Sequence, residues 1–206
     1  MFLEVQTALK LDQHSTFGKR INLVEEESDL GGFLVHHFIA SALKSDRNLV
    51  LLGLDQTLGH YHGVGLKLGV DILKKQKSGH FVFVDLLKSV SDSYYGETEA
   101  LTPGGVYQKV IQSSQEFNES RPLTIIIDKL TLFNSLGFKT RDTFALLQGL
   151  QAYSHDSQAT LITLSRGHSS RDLATRYRDE YDLDGQSDAL VAFLDHTRWA
   201  QNMANL

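Results

Sequence analysis

Cysteine is absent from this sequence, which excludes disulfides and thiolate chemistry and fits a reducing compartment. Proline is nearly absent: Pro103 and Pro122 are the only two, and each stands just before a periodic segment. No apolar run approaches the ~20 residues needed to span a bilayer, so no membrane partner is expected. The opening "MFLEVQTALKLD" has neither the basic start nor the long apolar stretch of a signal peptide, so no secretory leader is expected. Asn118-Glu119-Ser120 is accordingly a chance match to a glycosylation acceptor. Positive charge is also short, with 20 Lys and Arg against 25 Asp and Glu, a net charge of −5. That balance argues against a stand-alone nucleic-acid binder, while leaving room for a basic loop inside a larger assembly.

What remains is ordinary globular material. Apolar residues make up 41% and charged residues 22% of the 206 positions, enough for one domain with a real core. Short apolar runs alternate with longer helical stretches. Strands are expected at 20–24, 48–54, 80–86, 123–128 and 159–165. They are continuous rather than alternating runs, as strands buried on both faces of a parallel sheet should be. Helices are expected at 31–44, 57–68, 103–118 and 139–154. In the first of them Val35, Phe38, Ile39 and Ala42 follow the i, i+3, i+4, i+7 spacing of a buried face. Strand–helix alternation implies right-handed crossovers and an α/β sandwich with helices on both faces.

In such folds ligands sit beyond the carboxyl ends of the strands. The segment after the first strand, "VEEESDLGGFLVHHF" from Val24 to Phe38, is where a phosphate loop would lie. A working loop reads G-x-x-x-x-G-K-[ST], with amides around the phosphates, Lys for charge and Ser or Thr for magnesium. Aligned on Gly31, the sequence puts Glu26, Gly32 and Phe33 at the first Gly, Lys and Ser/Thr positions; aligned on Gly32, it puts Glu27, Phe33 and Leu34 there. Neither register supplies the chemistry.

Glu25, Glu26, Glu27 and Asp29 would also repel a triphosphate. Each like-charge contact at ~4 Å costs about 1 kcal/mol even at water's dielectric constant. At a helix N-terminus the same carboxylates suit the macrodipole, and Asp29 or Ser28 can cap the helix. The segment reads as a self-satisfied helix start, with the Gly31-Gly32 turn preserving the geometry. No cofactor is expected. Asp128 ends the fourth strand, where a magnesium-linked Asp would stand, and Asp55-Gln56-Thr57 follows the second strand without the Glu that would orient an attacking water. In "KLGVDIL", Gly69 ends a helix and Val70 and Ile72 resume packing. The architecture of a RecA-like domain is kept and its hydrolytic chemistry is missing.

Three strings sharpen this. "GGFLVHHFIASALK", "GHYHGVGLKLGV" and "GHFVFVDLLKS" resemble the Elongator complex protein 6 family in wording, order and spacing. The resemblance is in register from Val24 to Ser89 and continues as strand pattern from Leu123 to Ser165. It implies a RecA-like three-layer sandwich, mostly parallel, without functional nucleotide motifs. Residues 1–206 then form a single such domain, with 1–19 as an N-terminal extension and 166–206 as its C-terminal part. It also implies partners: the paralogous Elongator proteins 4 and 5 in a heterohexameric ring, the catalytic Elongator subunits, and tRNA bound by the assembled ring in support of wobble-uridine modification. The family picture places such a chain in the cytoplasm and the nucleus. A divergent RecA-type NTPase and a ring scaffold without RNA contact are the rival readings.

The remaining candidates are weaker. His36 and His37 point ~100° apart on a helix, so they do not readily share a metal ion. Phe33 and His37 fall on the side away from the buried stripe and are expected at a subunit contact. His60-Tyr61-His62 has H-x-H spacing without an acidic cluster nearby, so packing or an interface at His60 and Tyr61 is favoured over metal. The stretch 165–180 is the most nucleic-acid-like. Arg166, Arg171, Arg176 and Arg178 suit phosphate contact, and Tyr177 suits base stacking. An exposed helix with local pairs of these arginines to Asp172, Asp179 and Glu180 is the favoured account. Lys74, Lys75 and Lys77 read as a solvated turn.

Overall fold

The computed structural model describes residues 17–25, 30–96, 100–117, 121–166 and 189–194, with backbone only for Leu30 and the last segment. Six strands form one sheet: β1 (Arg20–Glu25), β2 (Asn48–Gly53), β3 (Phe81–Asp85), β4 (Leu123–Ile127), β5 (Thr160–Arg166) and β6 (Ala189–Leu194). Their order is β3-β2-β4-β5-β1-β6, and every pairing is parallel. The five expected strands fall within one residue of these bounds. β6 was not expected from the sequence; it extends the sheet beyond β1, with Arg20 opposite Ala189 and Glu25 opposite Leu194.

The helices are α1 (Leu30–Lys44), α2 (Leu58–Lys67), α3 (Ile72–Lys77), α4 (Leu86–Tyr94), α5 (Pro103–Gln115), α6 (Leu132–Ser135) and α7 (Thr140–Asp156). The first three cover one face of the sheet. There Leu34, Val35, Phe38, Ile39, Tyr61 and Ile72 pack on Ile21, Leu23, Leu49, Leu51 and Leu164. The other four cover the opposite face, where Leu86, Val106, Val110, Phe133, Leu146 and Leu150 pack on Val50, Leu52, Ile125, Ile127 and Leu161. The expected α1 stripe of Val35, Phe38, Ile39 and Ala42 is buried. A parallel sheet with both faces covered is an α/β three-layer sandwich.

Local chemistry starts and stops the helices. Thr57 Oγ1, Asp71 Oδ1, Asp85 Oδ1 and Thr102 Oγ1 each accept the amide three residues on, the usual N-cap bond. Pro103 occupies the first turn of α5, where its missing N–H costs nothing. The α2 end is a Schellman turn: Gly69, at φ +75°, donates to Leu66 O at 3.0 Å, and Val70 donates to Gly65 O at 2.8 Å.

Several expected bounds shift. α5 ends at Gln115 rather than 118. Lys74, Lys75 and Lys77 lie in α3 rather than in a solvated turn. α3 and α4 are too short for a periodicity reading, and their Asp caps are the signal that marks them.

Candidate functional site: a cavity at the strand ends

The carboxyl ends of β1, β2 and β4 open into a cavity of about 420 Å³ lined by Glu25, Gly32, Phe33, His36, His60 and Asp128 among others. A larger one, about 610 Å³, lies at the opposite end of the strands between Phe17, Phe117, Arg121 and Tyr153, away from every candidate site residue of the sequence. The first occupies the position expected of a ligand site in this fold.

Glu25 belongs to β1 rather than to the loop, and it is buried. Its Oε1 accepts the backbone N–H of Gly31 in the first turn of α1 at 3.2 Å. That amide is one of the donors a helix start leaves without an internal partner, and in a phosphate loop such donors face the anion. Here the chain's own carboxylate takes one of them. On the neighbouring strand Arg166, at the end of β5, brings Nε to 4.0 Å from Glu25 Oε2. Arg166 therefore lies beside a buried carboxylate as well as being half exposed. Glu26, Glu27 and Asp29 lie outside the described residues, as do Arg171, Arg176, Tyr177 and Arg178.

Gly31 and Gly32 do not form a turn. Both lie within α1, and they have different environments. A Cβ on Gly31 would stand 2.5 Å from Leu164 Cδ1, whereas nothing lies within 4 Å of one on Gly32. Gly31 is thus a packing glycine that lets α1 approach β5 closely.

Asp128 is the most heavily bonded group in the cavity. It is 3% exposed. Its oxygens accept from Leu54 N at 2.9 and 3.0 Å, from Asp55 N at 3.0 Å and from Tyr61 Oη at 2.6 Å. Burial pushes its carboxyl pKa up, and the hydrogen bonds offset only part of that. Burial, then the Asp128 charge, push the Tyr61 phenol up as well. Asp128 fastens the β2–α2 connection and the Tyr61 hydroxyl of α2 to the end of β4. Asp55 alongside it pairs with Lys129 at 3.2 Å. Among the described residues no group of three or more His, Asp or Glu side chains is placed to hold a metal ion.

The histidines divide in a way the sequence did not show. His36 is half-buried, its ring 5.2 Å from those of both His60 and Tyr61. Burial, with His60 and His37 nearby, holds its pKa down at about 4, so it is neutral at pH 7. Phe33 is 46% exposed and meets the His37 ring edge-on at 4.1 Å. His37 itself is buried, so the outer face expected for Phe33 with His37 is offered by Phe33 alone. His60 is exposed, whereas Tyr61 is buried, so Tyr61 packs rather than presenting a surface. Sequence reasoning missed the Tyr61–Asp128 bond, because Tyr61 stands 67 residues before its partner and nothing local links them.

Solved structures share this fold. A KaiC-like protein from Pyrococcus horikoshii aligns with TM-score 0.55 and 14% identity over 73% of this chain and 62% of its own. An uncharacterised protein from the same organism, crystallised with an unknown peptide, aligns with TM-score 0.58 and 20% identity over 82% and 78%. The fold is therefore RecA-like. Among sequences, Elongator complex protein 6 of Danio rerio is 30% identical over 152 residues, covering 66% of this chain and 57% of that protein. The Xenopus laevis protein is 35% identical over 98 residues, 47% and 37% respectively. The Homo sapiens protein is 34% identical over 92 residues, 45% and 35%. The matched stretches thus span between about a third and a little over half of these relatives. The family model described as Elongation complex protein 6 matches residues 2–104, half of the chain, and this chain belongs to that family.

Proposed function

We propose that this chain is a non-catalytic Elongator subunit that works by assembly. In this reading it joins the paralogous Elongator proteins 4 and 5 in a heterohexameric RecA-like ring. The ring docks on the catalytic Elongator subunits in the cytoplasm and the nucleus, binds tRNA, and supports modification of the wobble uridine. The observation that carries the reading is family membership. The Glu25 carboxylate on the Gly31 amide supports its non-catalytic part, because an ATP phosphate would have to displace a buried anion from the helix start.

The test is co-expression of the full chain with the two paralogous subunits, followed by purification through a tag on one of those. Recovery of a ring containing all three supports the reading, and a chain that stays monomeric beside them overturns it. Calorimetry with Mg-ATP tests the non-catalytic part separately. Micromolar binding by the isolated chain would favour a nucleotide-using protein.

A further inference from the structure

The chain carries five more acidic than basic residues, yet Lys67, Lys74, Lys75 and Lys77 cluster on α2 and α3, and among the described residues no carboxylate is paired to any of them. The acidic residues around them in sequence have other bonds: Asp71 caps α3 and lies 3.8 Å from His62, Asp85 caps α4, Asp55 pairs with Lys129 and Asp46 with Arg121. The macrodipole of α3 accounts for a lysine in its last turn. It does not account for three in a six-residue helix together with Lys67 at the end of the preceding one.

The frame that displays these lysines is rigid. The Schellman turn fixes the path from α2 to α3, and Ile72 is packed so tightly on Gly65 that a Cβ there would stand 2.9 Å from Ile72 Cδ1. The residue following each member of that contact is an exposed leucine: Leu66 at 53% on α2 and Leu73 at 37% on α3. From the end of α1, Lys44 Nζ reaches within 3.4 Å of where a Gly69 Cβ would be, against the same turn.

We propose that the α2–α3 corner is a docking surface for an acidic segment of another protein, one that brings carboxylates to the lysines and apolar side chains to Leu66 and Leu73. The charge selects an anionic partner. The leucines select protein over nucleic acid, since phosphate gains nothing by covering them. A second copy meeting this corner through the same corner is a weaker fit, because it is basic in both copies.

The probe is a fluorescein-labelled amphipathic peptide of glutamate and leucine, titrated against the full chain at low and at moderate salt. Two variants accompany the wild type, Lys67→Glu/Lys74→Glu/Lys77→Glu and Leu66→Ser/Leu73→Ser. All the altered side chains are solvent-facing, and thermal unfolding checks that both variants fold. The expected result is saturable binding that weakens about tenfold with the lysine variant and about fivefold with the leucine variant. Lys67→Gln/Lys74→Gln/Lys77→Gln, which removes charge without reversing it, should fall between wild type and the Glu variant. No binding by wild type, or binding that neither variant changes, overturns the proposal. So does tighter binding of poly(U) RNA that depends on the lysines and ignores the leucines, which would make the corner a nucleic-acid surface.

Discussion

Two buried carboxylates stand at strand ends of one cavity, with β5 between their two strands, and they are held in different ways. Asp128, after β4, is surrounded by donors from the β2–α2 connection and by the Tyr61 hydroxyl. Glu25, ending β1, accepts one helix amide and has an arginine at 4.0 Å. Asp128 is a rivet between two strands, and Glu25 is the anion at the start of its own helix. The difference teaches where the fold depends on these carboxylates: strongly at Asp128, weakly at Glu25.

Replacing the two carboxylates tests that ranking. Asp128→Ala leaves the buried Leu54 amide, the part-buried Asp55 amide and the Tyr61 hydroxyl without their acceptor, and should cost about 3 kcal/mol, read as a lowered urea midpoint. Tyr61→Phe removes a single donor from the same knot and should cost about 1–2 kcal/mol. A double-mutant cycle of the two should show strong coupling, because they share one bond. Glu25→Ala should cost only about 1 kcal/mol, the scale of a helix cap. Equal losses for Asp128→Ala and Glu25→Ala would erase the distinction between rivet and cap.

The same contrast explains what the sequence made legible. Apolar runs placed five strands to within one residue, because strands buried on both faces leave a continuous hydrophobic trace. The mismatch of Glu26, Phe33 and the missing Lys to a phosphate-loop pattern is legible in the sequence alone, since that pattern is local. The knot at Asp128 was not, because its partners come from Leu54 and Tyr61 on a different crossover. Nor could helix phase alone separate exposed Phe33 from buried His37. It describes one helix, whereas burial depends on everything packed round it.

Acid titration sharpens the comparison from the α1 side. The His36 pKa is lowered from 6.5 to about 4, so the unfolded chain takes up this proton first as pH falls. Stability from a neutral His36 is therefore complete above about 6.5 and is lost as pH falls towards 4. The raised Asp128 carboxyl acts oppositely: the folded state holds its proton more tightly, so its contribution is complete below 3.8 and fades as pH rises through the folded value. His36→Leu should flatten the loss of stability between about 6.5 and about 4, followed by urea unfolding across that range. An unchanged slope would mean that the cavity's response to acid comes from a group other than His36.

The last comparison lies in adjacent glycines, where two small effects of opposite sign are expected. Gly31→Ala drives a methyl to 2.5 Å from Leu164 Cδ1 and 3.3 Å from its Cγ. Leu164 is itself in the core, so it cannot swing clear without disturbing its neighbours, and the change should destabilise by about 1–2 kcal/mol. Gly32→Ala meets nothing within 4 Å and replaces a helical glycine, so it should stabilise by up to about 1 kcal/mol. Opposite signs in thermal unfolding are the expected outcome. Two stabilising changes would mean that α1 does not rest on β5 through Gly31, and the helix start would then be held by the Glu25 carboxylate alone.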